Sequence, residues 1–136
     1  MTKEELWQWM DSHKLAVLAT ASREGAPEAA LMGIALSPQF DVVFDTVRTS
    51  RKYPNLKANP RVAFVIGTTS EVTVQYEGEA EELAGERLEL FQKVYFAKWP
   101  DGPERMSWPN MTYFAVHPKW IRYSNFDTRE FVELPF

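Results

Sequence analysis

The chain has 136 residues, a formal net charge of −4 and no cysteine. This length fits one domain over residues 1–136, and the lack of cysteine excludes disulfides and thiolate-bound metals. The acidic balance weighs against a nucleic-acid partner, and no apolar run approaches the length of a membrane span or signal peptide, so we expect a cytoplasmic protein.

The N-terminal half predicts a helix, three strands and a second, shorter helix. Thr2 and Glu5 form a capping box, so the first helix begins near Lys3. The predicted strands are Leu15–Thr20, Ala29–Leu36 and Asp41–Val47, which make an antiparallel meander with short turns. The second helix is predicted over Arg51–Ala58, with Ser50 as its N-cap.

The C-terminal half predicts more strands around one long helix. The predicted strands are Arg61–Gly67, Glu71–Glu81, Thr112–Ser124 and Phe131–Leu134. A helix is predicted over Gly85–Trp99, and Pro118 predicts an edge or a bulge in the strand that contains it. Strands grouped between single helices indicate an α+β fold around a mainly antiparallel sheet, and six or seven strands in so short a chain suggest a barrel.

The segment Asp45–Lys52 is the most informative for function. It runs from a strand end through a polar turn to a helix N-terminus, where backbone N–H groups and the helix dipole favour an anion. Arg51 offers a planar fork and Lys52 a point charge, and hydroxyl donors come from Thr46, Thr49 and Ser50. Two cations in the first turn interact unfavourably with the positive end of the helix dipole, and a bound phosphate would make that interaction favourable. The alternative interpretation is that both side chains simply reach into water.

The same segment carries a family resemblance. The motifs concerned are Phe44-Asp45-Thr46, Ser50-Arg51-Lys52, Leu56, Asn59-Pro60-Arg61-Val62 and Tyr76-Glu77-Gly78-Glu79-Ala80-Glu81. With them, almost the whole chain resembles the pyridoxamine 5′-phosphate oxidase-like family of FMN-binding split-barrel proteins. The resemblance implies a split β-barrel with a few flanking helices and a homodimer that holds FMN at its interface.

The resemblance also implies residue roles. Arg51 and Lys52 would bind the FMN phosphate with help from Thr46 and Ser50, and the isoalloxazine would lie against Leu31–Ile34. Trp99 and Trp108 are candidates to contact the ring from the partner subunit, although packing is an equal alternative for both. The predicted cofactor-binding residues are Met32, Gly33, Asp45, Thr46, Thr49, Ser50, Arg51, Lys52, Thr73 and Trp108.

The sequence departs from the true oxidases at several positions. Ala30 and Ala35 stand where those enzymes carry basic residues, and Thr73 stands where they carry glutamine. The chain ends at Phe136 without the C-terminal segment that brings a tryptophan and an arginine to their site. We therefore expect weaker FMN binding and little or no oxidation of vitamin B6 phosphates.

Two functions remain open at this stage. The first is an FMN-dependent oxidoreductase with an unknown small-molecule substrate, for which a nicotinamide is a candidate reductant. In such an enzyme the cofactor carries the redox chemistry. No residue is predicted as catalytic, and the two histidines lack partners at metal-ligand spacing, so no metal site is predicted. The alternative is a non-catalytic carrier or sensor of flavin, deazaflavin or haem.

Overall fold

One antiparallel sheet of eight strands curves around the main core. The structure is a computed structural model that describes all residues 1–136. The strands are β1 Leu15–Ala21, β2 Pro27–Gly33, β3 Ala35–Leu36, β4 Val42–Val47, β5 Arg61–Ile66, β6 Val72–Glu82, β7 Met111–Asn125 and β8 Glu130–Pro135. The helices are α1 Lys3–Asp11, α2 Lys52–Ala58 and α3 Gly85–Lys98, and a 3-10 helix covers Gly102–Ser107. None of the helices combines the length and the apolar character needed to span a bilayer.

The strand order explains why the barrel is split. Neighbouring strands pair in the order β2-β1-β5-β6-β7-β4-β3, and β8 pairs with the second half of β7. β2 and β3 therefore lie at opposite ends of this path, although only Ile34 separates them in the chain. The sheet curls until β2 contacts β4, and a gap remains between the free edge of β2 and the start of α2.

The core divides into a large cluster inside the sheet and a smaller one under α3. Aromatic side chains of four strands fill the first, with Phe44, Phe64, Phe114 and Tyr76 almost fully buried. Leu6 and Met10 of α1 belong to the same cluster. Each such side chain contributes about 1.5–3 kcal/mol when it is fully buried, so this cluster holds the sheet curved. The smaller cluster, around Phe91 and Tyr95, joins α3 to β4 and β7.

A carboxylate at the end of β6 fixes α2 against the sheet. Glu82 accepts hydrogen bonds from Tyr53 Oη at 3.0 Å, Lys57 Nζ at 2.9 Å and Thr112 Oγ1 at 2.6 Å. Burial by itself raises the pKa of Glu82, but these hydrogen bonds outweigh it and lower the pKa to about 2. Two residues of α2 are thereby tied to β6 and β7, which sets the position of the Asp45–Lys52 segment.

The predicted elements are confirmed with three differences. The single strand expected over Ala29–Leu36 is divided, because the chain turns at Ile34 to cross from one edge of the sheet to the other. Ser50 is not the N-cap of α2: Arg51 occupies that position without a side-chain cap, and the Ser50 hydroxyl accepts from Thr46 instead. The third difference follows from the first: the division of Ala29–Leu36 into β2 and β3 raises the count from the predicted six or seven strands to eight, whereas β8 matches the predicted strand Phe131–Leu134.

The irregularity expected at Pro118 is a bulge rather than an edge. Gly78 faces Pro118 while Glu77 faces Trp120, so Lys119 is the additional residue in β7. A Cβ at Gly78 would lie 2.4 Å from the carbonyl oxygen of His117, so only glycine permits this approach of the two strands.

Candidate functional site

A small cavity lies in the gap of the split barrel, between β2 and the start of α2. Its volume is about 60 Å³. The lining residues are Leu18, Thr20, Glu28, Ala29, Ala30, Arg51 and Lys52. The cavity thus joins the inner faces of β1 and β2 to the two predicted phosphate-binding cations.

Lys52 is the most unusual charge at this cavity. Its side chain is half-buried, and no carboxylate lies within ion-pair distance of its ammonium group. Its nearest polar partner is Thr46 Oγ1, at 3.5 Å from Nζ, and Thr46 in turn donates to Ser50 Oγ at 3.2 Å. Burial lowers the pKa of Lys52, because the charged form loses hydration without gaining an anion. The ammonium and the two hydroxyls are donors of the kind that bind a phosphate.

Arg51 lies in a different environment. Its side chain is 81% exposed, and Nη2 makes an ion pair with Glu28 Oε2 at 2.9 Å. Glu28 is only 16% exposed and also accepts from Asn55 Nδ2 at 2.8 Å. Asn55 is buried and donates to Thr20 Oγ1 as well, at 3.0 Å. The two adjacent cations therefore differ: Lys52 has no anionic partner, and Arg51 has one on β2.

Asp45 lies next to the site but its carboxylate is used elsewhere. Oδ1 accepts from Tyr95 Oη at 3.1 Å, and Oδ2 accepts from Arg105 Nε at the same distance. Arg105 also donates to Asp101 Oδ2 at 2.8 Å. Asp45 thus anchors α3 and the 3-10 helix to the end of β4, so the geometry gives it a positioning role next to the site.

The β2 residues predicted to face the flavin ring are mostly covered by this chain itself. Met32 is 8% exposed and belongs to the main core. Gly33 lies under Trp99, so close that a Cβ would be 2.8 Å from the indole Cζ2. Trp99 Nε1 donates to the Ile34 carbonyl at 2.9 Å, which fixes the ring there. Trp99, at the C-terminal end of α3, therefore packs on the end of β2 of the same chain.

The remaining predicted residues lie further apart. Thr49 is exposed in the turn before α2. Trp108 is 53% exposed, in a loop held beside that turn by the hydrogen bond from Arg48 N to the Asn110 carbonyl. Thr73 does not join the site, because it lies on the outer face of β6. Ala35 is buried under α3, so a basic residue there could not reach the cavity, whereas Ala30 lines it.

Sequence reasoning missed the polar pair Glu28 and Asn55. The alternation of β2 contained the signal for Glu28, since it shares a strand face with Ala30 and Met32. For Asn55 the signal was its place four residues after Arg51, on the same side of the helix. Neither residue is a cation or a hydroxyl donor, and those are the groups that predict a phosphate site from sequence.

The outer face of β1, β2 and β5 is apolar. Leu15, Leu31 and Val65 are 48%, 62% and 41% exposed, respectively. The strand register places Val17 between Leu31 and Val65. A sheet face that meets water normally carries polar side chains, so this apolar patch is typical of a contact surface.

Comparison with solved structures shows the same fold in several proteins. General Stress Protein 26 from Bacillus anthracis is 25% identical, with a TM-score of 0.73 over 98% of this chain and 100% of that chain. A heme binding protein from Mycobacterium smegmatis is 17% identical, with a TM-score of 0.79 over 91% of this chain. HutZ, the heme storage protein from Vibrio cholerae, is 16% identical, with a TM-score of 0.68 over 86% of this chain and 89% of that chain.

The extent of these matches differs between relatives. This chain spans 53% of the Mycobacterium smegmatis protein and 59% of Atu2129 from Agrobacterium tumefaciens. No curated protein matches the chain in sequence. A family profile for pyridoxamine 5′-phosphate oxidase, however, matches residues 2–125. The split barrel, the Ser50-Arg51-Lys52 turn and this match over nearly the whole chain agree, and the chain belongs to the pyridoxamine 5′-phosphate oxidase family.

Proposed function

We propose that the protein binds FMN, with the phosphate at Lys52, Ser50 and Thr46, and that it acts as an FMN-dependent oxidoreductase on a small molecule. The observation that carries the proposal is the half-buried ammonium of Lys52, which lacks an anionic partner and lies beside two hydroxyls. A phosphate placed there would replace the hydration that Lys52 has lost. Charge-assisted hydrogen bonds of this kind contribute about 1.5–3 kcal/mol each.

FMN and the protein would have different roles in the reaction. Bound FMN would supply the hydride and electron transfer, and the protein would supply binding and orientation. Lys52, Ser50 and Thr46 hold the phosphate end, while the apolar residues Leu18 and Ala30 line the adjoining wall. No general acid or base is assigned among these residues.

We propose in addition that the working unit is a homodimer joined through the apolar outer face of β1, β2 and β5. The cavity of one protomer is too small to enclose a tricyclic ring, since ligand sites usually bury most of the ligand surface. A two-fold interface uses one patch twice and can bring a partner surface over the exposed end of the site. Trp108, which is exposed beside the Arg48–Ser50 turn, is available to stack on a planar ligand.

A haem-binding role is the second candidate. It rests on two structural relatives, the heme binding protein from Mycobacterium smegmatis and the heme storage protein from Vibrio cholerae. The surroundings of the two histidines give less support to haem binding through an imidazole ligand. Both ring nitrogens of His117 are engaged by carboxylates, Nδ1 with Asp41 at 2.9 Å and Nε2 with Glu81 at 2.7 Å. His13 Nδ1 lies 2.8 Å from the Trp9 carbonyl and its ring packs on Trp9.

The test is to incubate the purified protein with FMN, riboflavin or hemin, remove free ligand by gel filtration, and record the absorbance spectrum. We expect a flavin spectrum with FMN, a much weaker one with riboflavin, and loss of FMN in the Arg51→Ala/Lys52→Ala double variant. Retention of hemin but not FMN would favour the second candidate. Reduction of bound FMN by NADH or NADPH, followed by reoxidation, would separate an oxidoreductase from a carrier.

A further inference from the structure

Glu28 is the one acidic side chain that lines the cavity with Arg51 and Lys52. It lies on β2, opposite Thr20 of β1 in the strand register. Its side chain is only 16% exposed, so it forms part of the cavity wall and is not a solvated surface group. The family resemblance assigns this position no role.

The two oxygens of Glu28 are held by two different residues. Oε1 accepts from Asn55 Nδ2 at 2.8 Å, and Oε2 accepts from Arg51 Nη2 at 2.9 Å. Asn55 is itself fixed by its hydrogen bond to Thr20. The carboxylate is therefore oriented from the core side and presents its second oxygen to the guanidinium that a phosphate would need.

We infer that Glu28 competes with the bound phosphate for Arg51 and so determines which phosphate ligands the site accepts. This inference rests on the proposed phosphate site. Arg51, Lys52 and Glu28 together carry one net positive charge, whereas a phosphomonoester carries about −1.5 to −2 at pH 7. The carboxylate thus lowers the net positive charge of the site below that needed to balance a dianion, and it engages Nη2, one of the guanidinium donors that would bind the phosphate oxygens.

The competition has a clear consequence for specificity. Replacing the carboxylate with an amide frees Arg51 and removes a negative charge beside the phosphate. Neither change should alter the affinity for riboflavin, which has no phosphate group. Glu28 therefore acts on the phosphate end of the ligand, and its effect grows as the phosphate loses its second proton, with a pKa of about 6.

The experiment compares the wild-type protein with Glu28→Gln. The amide oxygen can still accept from Asn55, which keeps the contact with the core. Dissociation constants for FMN and riboflavin are measured by quenching of flavin fluorescence at pH 7.5 and pH 5.5. Glu89→Gln, an exposed acid on α3, is the matched control because it removes the same net charge away from the cavity.

We expect Glu28→Gln to tighten FMN binding by about three- to tenfold at pH 7.5, the range provided by a partly exposed ion pair and a nearby like charge. The gain should be smaller at pH 5.5, and riboflavin binding should not change. Equal FMN affinity in both proteins, or equal tightening of FMN and riboflavin, would overturn the role of Glu28 and leave the phosphate site standing. Failure of both proteins to bind either flavin would instead overturn the proposed function, and this inference with it.

Discussion

Substitution of Lys52 by methionine separates its role in ligand binding from its role in the fold. Methionine keeps an unbranched apolar stem but removes the ammonium group. If that group binds the FMN phosphate, its loss removes a charge-assisted interaction of about 1.5–3 kcal/mol, which corresponds to a weakening of about ten- to 150-fold. Fluorescence titration of FMN measures this change directly.

The same substitution should leave the protein without ligand as stable as before, or more stable. The Lys52 ammonium is half-buried, has no carboxylate partner and makes only a 3.5 Å contact with Thr46. Burial lowers the pKa of Lys52, which means that the charged ammonium lowers the free energy of unfolding when no anion is bound. Urea unfolding without ligand should show no loss of stability in Lys52→Met.

Lys57→Met is the matched control on the same helix. Lys57 Nζ lies 2.9 Å from Glu82 Oε1, on the side of α2 that is tied to β6. This variant should lose some stability and keep its FMN affinity, the reverse of Lys52→Met. Unchanged FMN binding in Lys52→Met, or a loss of stability as large as that in Lys57→Met, would show that Lys52 does not bind the phosphate.

Three further predictions concern the packing of Gly33, the dimer interface and the pH dependence of stability. Gly33→Ala should lower the free energy of unfolding by about 1–3 kcal/mol in urea titrations, because the new Cβ would lie 2.8 Å from Trp99 Cζ2 and the indole is anchored to Ile34. Leu31→Glu should convert a dimer into a monomer of 15.7 kDa in light scattering, since Leu31 is 62% exposed on the apolar outer face; an unchanged mass would exclude that face as the interface. Burial lowers the pKa of His117, but its hydrogen bonds to Glu81 and Asp41 outweigh this effect, so the pKa is raised above its usual value of 6.5. The contribution of the protonated ring to the free energy of unfolding is therefore fully present below pH 6.5 and is lost as the pH rises through the raised pKa. The melting temperature should therefore fall over that interval in the wild type and much less in His117→Gln.

The sequence predicted most of the fold because its local signals agree with the tertiary structure. The capping box at Thr2 and Glu5 is present with both of its hydrogen bonds, and the clean alternation from Val72 onward forms a central strand. The break at Ile34 could not be predicted, since it depends on the curvature that brings the two ends of the sheet together. Local periodicity contains no information about that closure.

The candidate site was predictable only in part. Lys52, Thr46 and Ser50 come together as expected, because a strand end and the following turn are close in sequence. Glu28, in contrast, reaches Arg51 across the gap of the barrel, and such a pairing depends on tertiary structure alone. The participation of Asp45 in the contacts of α3 was missed for the same reason, since Arg105 lies sixty positions further along the chain.

A crystal structure of the protein with bound FMN would test the phosphate site most directly. We expect the phosphate within hydrogen-bond distance of Lys52 Nζ, Ser50 Oγ and Thr46 Oγ1, in the gap between β2 and α2. We also expect the Arg51 guanidinium to have moved away from Glu28 to the phosphate. A phosphate bound elsewhere on the protein, with Lys52 still without an anionic partner, would show that Lys52 does not form the FMN site.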